Sequence, residues 1–81
     1  MEIKIILCHG LEKKYKNYNK EQGILLDLER PVSIKQIIKK NFSKDIQETA
    51  GIILANKKIV DINYQIKDGD VIEIFPLIGG G

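Results

Sequence analysis

The sequence predicts a small α+β roll, a mixed sheet of four to five strands packed on one main helix. Two early runs, IKIILC and ILLDLE, alternate apolar and polar residues with the period of two that marks a half-buried strand. One segment, RPVSIKQIIKKNF, switches to helical spacing. Short β-rich runs separated by turn signals fill the rest of the chain. With 81 residues there is material for a single core, and about 60 to 65% of the unfolded surface is expected to be buried in it.

In the first run Ile3, Ile5 and Leu7 share the inner face, while Lys4, Ile6 and Cys8 fall on the outer one. The stretch HGLEKKYKNYNKEQG, residues 9 to 23, has no sustained apolar period and reads as a long hairpin loop, mobile at least in part. Its second strand turns Ile24, Leu26 and Leu28 inward and Asp27 outward, as the antiparallel partner of the first. Ser33 suits an N-cap and Gln36 the third helical position, a capping box flanked by the staple pair Val32 and Ile37. Ile34, Ile37, Ile38 and Phe42 make the apolar stripe, and Lys39 and Lys40 fall in the last turn, where the helix dipole favours positive charge.

SKDIQETAG fits either a loop or a single helical turn. GIILA and KIVD read as short strands about an NKK turn, and INYQI is expected to drop Ile62, Tyr64 or Ile66 onto the core. In DGD, Gly69 can take the positive φ of a tight turn. The last strand, VIEIF, sets Ile72 and Ile74 inward with Glu73 and Phe75 outward. Pro76, having no amide donor, is expected to end the ladder.

Composition narrows the function. A net charge of +2 does not by itself call for nucleic acid or an acidic membrane, and no apolar run approaches the roughly 18 residues of a membrane helix. MEIKIIL carries an acid at position 2 and is too short for a secretory signal, and one cysteine forms no internal disulfide; a cytoplasmic protein is expected. Cys8 and His9 are neighbours, but successive residues of a strand diverge, so a small apolar cysteine beside an exposed histidine is expected rather than a nucleophile and its base. One Cys and one His are too few for a zinc site. The loop interleaves Lys13, Lys14, Lys16 and Lys20 with Tyr15 and Tyr18, a combination suited to single-stranded nucleic acid. Glu12 and Glu21 flank it, so a solvated loop is expected and no nucleic-acid partner.

The sequence closes on FPLIGGG. Gly79, Gly80 and Gly81 have no Cβ and can thread a narrow channel, and residues 76 to 81 span at most about 20 Å, enough to enter another protein's active site. Phe75, Pro76, Leu77 and Ile78, with Gly79, read either as residues packed back on the sheet or as an anchor patch for a partner, and the patch is favoured. The ending DGDVIEIFPLIGGG, preceded by LANKKIVD, resembles the MoaD/ThiS family of sulfur carriers, small β-grasp (ubiquitin-like) proteins that end in a diglycine. Asp68, Gly69, Asp70, Val71 to Phe75, Pro76, and Gly80 with Gly81 match its pattern, and PVSIKQII resembles its helix start. Gly79 stands where the family often has Ala, Ser or Thr, and the lysine-rich 9 to 23 loop departs from the family pattern.

The resemblance implies residues 1–75 as the β-grasp domain and 76–81 as a flexible C-terminal tail. It implies a carrier rather than an enzyme, with Gly81 as the reacting carboxylate and Gly80 beside it giving access. A carboxylate is a poor electrophile when ionised. In the family a ubiquitin-activating-type enzyme joins it to AMP, and a persulfide donor then converts it to a thiocarboxylate for a sulfur-acceptor synthase subunit. ATP and magnesium belong to that activating partner, and the chain is expected to bind no cofactor or metal itself. Molybdopterin synthesis is favoured over the thiamine thiazole pathway. A ubiquitin-like modifier forming isopeptides and a non-conjugating binding module are the alternatives.

Overall fold

Alternation alone accounts for the first strand of this computed structural model, which describes residues 1–77. Strand β1 (Glu2–Leu7) buries Ile3, Ile5 and Leu7. It pairs antiparallel with β2 (Ile24–Asp27), Ile5 opposite Ile24 and Lys4 opposite Leu25. The connection between them is packed rather than free. A 3₁₀ turn over Leu11–Lys14 buries Leu11 completely, and the Tyr18 hydroxyl accepts a hydrogen bond from the Leu7 amide at 3.0 Å. Tyr15 lies edge-on to Phe42, ring centroids 5.7 Å apart. The long connection expected here is thus present, and it is held to the core at three points, Leu11, Tyr15 and Tyr18.

Helix α1 (Ile34–Asn41) begins as the capping box requires: the Ser33 hydroxyl accepts from the Gln36 amide at 3.2 Å, and the Gln36 side chain accepts from the Ser33 amide at 2.9 Å. Ile34, Ile37, Ile38 and Phe42 are buried. Ser33→Ala removes one of these two bonds and is expected to cost about 1 kcal/mol, read as a lower urea midpoint with an unchanged m-value. The segment after α1 is helical, α2 (Lys44–Thr49), with Ser43 accepting from the Ile46 amide at 3.3 Å and Ile46 buried.

Strands β3 (Ala50–Ala55) and β4 (Lys58–Val60) form a hairpin through Asn56 and Lys57, whose φ values of 51° and 71° suit a two-residue turn. Of the three residues expected to dip inward, Ile66 is fully buried and Tyr64 packs on the core, while Ile62 stays 43% exposed. Gly69 takes a φ of 85°, as its turn requires.

Strand β5 (Val71–Pro76) runs through the middle of a five-stranded sheet ordered β2-β1-β5-β3-β4, parallel to β1 and antiparallel to β3. Parallel neighbours need a crossover, and the α1–α2 segment lies between them in the chain. Ile72 and Ile74 join the helical isoleucines in one core. Pro76 is the last residue of the ladder, as expected. It pairs with Ala50 across a register shift in β3, and the Leu77 amide donates to Thr49 O at 2.7 Å. Successive amides on a strand face opposite neighbours. Since that of Leu77 faces β3, the donor missing from Pro76 would have faced the side of β1, beyond the end of that strand, and its loss breaks nothing.

Candidate functional site

The site is the rim where β5 leaves the sheet. Because β1 and β5 are parallel, the end of β1 and the end of β5 lie together, and His9 comes to rest on Phe75 with ring centroids 5.3 Å apart. His9, Ile52, Phe75, Pro76 and Leu77 line a groove of about 260 Å³. Leu77 is 72% exposed and Ile52 55%. Large side chains left in water at one edge of a domain mark a contact surface. The anticipated residues Phe75, Pro76 and Leu77 are therefore brought together, whereas Ile78, Gly79, Gly80 and Gly81 lie outside the described residues.

Three residues that were not anticipated belong here as well: Ile52, Ile59 and Gly51. Register aligns Ile6, Glu73, Leu54 and Ile59 in one row across the outer face, beside the row that holds Phe75. Ile59 is 77% exposed, so the apolar surface extends from the rim onto β4. GIILA did carry a signal for this: a strand apolar on every position has both faces destined for cover. Gly51 is the third. A Cβ there would stand 2.8 Å from Leu77 Cα and 2.9 Å from its nitrogen, both backbone atoms, so only glycine lets the departing chain run so close to β3. Gly51→Ala is expected to break the Leu77–Thr49 hydrogen bond. Amide exchange at Leu77 should accelerate at least tenfold, while protection in β1 stays as it was.

Cys8 is not prepared for nucleophilic work. Burial pushes its thiol above the ordinary value, the Glu73 and Glu12 carboxylates push it further, and Lys57 offsets only part. Reactive cysteines need the opposite shift. Its Sγ contacts the Ile6 carbonyl at 3.9 Å, while the His9 ring is engaged with Phe75. Among the described residues no three His, Cys, Asp or Glu side chains are grouped to hold a metal ion, and no helix is long and apolar enough to cross a membrane.

The start of β5 is held by polar chemistry. Gly69 N donates to Glu2 O at 2.8 Å and the Asp68 carboxylate accepts from the Glu2 amide at 2.8 Å, tying the turn to β1. Asp70, 4% exposed, accepts from the Asn56 side chain at 2.8 Å, the Tyr64 hydroxyl at 3.0 Å and the Lys67 amide at 2.8 Å. Both ends of β5 are thus fixed, one by this carboxylate and the other by the Thr49 strap.

Solved structures share this architecture. A Pyrococcus furiosus protein provisionally described as molybdopterin converting factor, subunit 1, superposes with a TM-score of 0.71 at 18% identity, over 95% of this chain and 98% of that one. SAMP1 from Haloferax volcanii gives 0.67 at 14%, covering both chains fully. A chain from the complex of subunits 1 and 2 of molybdopterin-converting factor from Helicobacter pylori gives 0.60 at 22%, again over the whole of both. At such identities the likeness speaks for the fold, which is the β-grasp roll. No curated protein matches the sequence. The ThiS family model matches residues 9–81, nearly the whole length including the closing glycines, and the chain belongs to the ThiS family.

Proposed function

We propose that this chain is a sulfur carrier whose Gly81 carboxylate is converted to a thiocarboxylate and delivered to an acceptor subunit. The observation that carries the reading is the Leu77 amide bonded to Thr49 at the edge of an exposed apolar face. Four residues of sequence, 78 to 81, follow it, and four extended residues span roughly 13 Å. That reach suffices to carry an acyl group into a partner docked on Phe75, Pro76 and Leu77.

The chemistry follows from the acid. A Gly81 carboxylate oxygen attacks the α-phosphorus of ATP in the activating enzyme, where magnesium is held, and pyrophosphate leaves. The outer sulfur of a persulfide displaces AMP from the acyl carbon. The product is an acyl disulfide with a new C–S bond; a thiol then cleaves the S–S bond carried over from the persulfide, leaving the thiocarboxylate and a disulfide. The thiocarboxylate sulfur bonds to the substrate held by the acceptor subunit, and water then cleaves the acyl–sulfur bond, which leaves the sulfur there and returns the carboxylate. This chain supplies the acyl end and its address and no catalytic group, so it is a protein substrate rather than an enzyme. ThiS-family membership supports the carrier role, and the Helicobacter pylori neighbour, a complex of subunits 1 and 2, supports a synthase subunit as acceptor. Molybdopterin synthesis in the cytoplasm is the setting this favours.

Adding one alanine after Gly81 separates the carrier from a plain binding module. Affinity for the activating enzyme should fall only a few-fold while acyl-adenylate formation disappears. Unimpaired adenylation of the extended chain would refute the assignment. Adducts on other proteins that survive a denaturing gel would instead favour an isopeptide-forming modifier.

A further inference from the structure

The outer face of the sheet holds an acid that the tail chemistry does not use. Register sets Glu73 between Ile6 of β1 and Leu54 of β3, with Ile59 beyond Leu54. Its side chain is only 12% exposed, and its Oε1 is shielded from solvent with no hydrogen-bond partner among the described residues. Lys57 Nζ stands 3.1 Å from that oxygen, yet outside hydrogen-bonding geometry and on a side chain 79% exposed. An ion pair made by so exposed a lysine contributes little. When a partner covers the face, the remaining water leaves, and a carboxylate deprived of water needs a strong donor in its place.

We propose, building on the carrier reading, that Glu73 is the polar anchor of the docking face and that the acceptor subunit brings an arginine to it, displacing Lys57. A guanidinium suits the position because its planar fork can bond both carboxylate oxygens and it is weakly hydrated. Leu54, Ile59 and Phe75 around it keep water out, which is the setting in which a charged pair holds a complex together. A second copy of this chain fits poorly. Two-fold pairing of the face would bring two Glu73 carboxylates towards one axis, because β5 is the central strand. The acid also gives specificity, since an apolar partner without a cation would leave it buried and unpaired.

The test is isothermal titration of the chain and its variants Glu73→Gln, Glu73→Leu and Lys57→Ala against the acceptor subunit encoded in the same genome, with circular dichroism to show that each folds. Glu73→Gln and Glu73→Leu should each weaken binding about thirtyfold or more, and Glu73→Gln should flatten the dependence on salt. Lys57→Ala should bind as tightly as the wild type or tighter. Glu73→Leu binding at wild-type strength would overturn the proposal, because the face would then act through its apolar area alone. A tenfold loss in Lys57→Ala would overturn it too, by showing that the chain's own lysine satisfies the acid in the complex. Either result leaves the carrier reading standing, whereas a wild-type chain that does not bind the acceptor overturns both.

Discussion

Asp70→Ala is expected to remove about 3 kcal/mol of folding stability, measured by urea denaturation at neutral pH. The carboxylate is buried and accepts from Asn56, Tyr64 and Lys67, so alanine leaves three donors facing a cavity. Small domains have little stability to spare, and the variant should be partly unfolded at growth temperature. The effect has a pH signature. Burial pushes the Asp70 carboxyl up, but the hydrogen bonds from Asn56, Lys67 and Tyr64, with the Lys67 charge, more than offset this and hold it below the ordinary carboxylate value. A depressed acid contributes stability that is fully present above the unfolded pKa of about 3.9 and is lost as pH falls through the folded value. Below about pH 4 the wild type should therefore lose stability more steeply than Asp70→Ala. Tyr64 shows the other half of the pair: burial, then its hydrogen bond to Asp70 and the Asp70 charge, raise its phenol.

Deleting Gly81 is expected to lower thiocarboxylate formation at least a hundredfold while the urea midpoint stays unchanged. The shortened chain still ends in a glycine carboxylate, but one withdrawn by about 3.5 Å. A misplacement of a single ångström at a reacting centre already costs about a hundredfold. Residue 81 lies four positions beyond Leu77, whose amide makes the last backbone hydrogen bond among the described residues, and the urea midpoint is expected not to register its loss. Asp70 and Gly81 thus predict opposite outcomes: stability falls without Asp70, and chemistry falls without Gly81.

How far such residues can be recognised in the sequence depends on how local their interactions are. The capping box at Ser33 and Gln36 is written within four residues, and the alternation of β1 within six; both are present as read. The Asp-Gly-Asp turn was legible as a turn, but its grip on Glu2 and on the Asn56 hairpin is long-range and leaves no pattern nearby. The 9 to 23 connection looked like a polar loop because its anchors, Leu11, Tyr15 and Tyr18, follow no period and meet partners in β1 and at Phe42. α2 has six residues, too few for a helical period to stand out. Pro76 closes the strand as its missing amide suggests, but the further bond from the Leu77 amide to Thr49 depends on a register that no local pattern displays.

The candidate site divides in the same way. Phe75, Pro76 and Leu77 stood out as apolar residues without an obvious core to enter. Ile52 and Ile59 did not, because strands apolar on both faces give no direction until register is known. Gly51 acquires its importance from a bulge that brings β3 against the departing chain.

The most direct test is the intact mass of the protein after incubation with its activating enzyme, ATP, magnesium, a persulfide donor and a thiol. A sulfur carrier should gain the mass difference between sulfur and oxygen, on the fragment that ends in Gly81. A mass that stays constant while the same enzyme adenylates another carrier in the mixture would contradict the central claim.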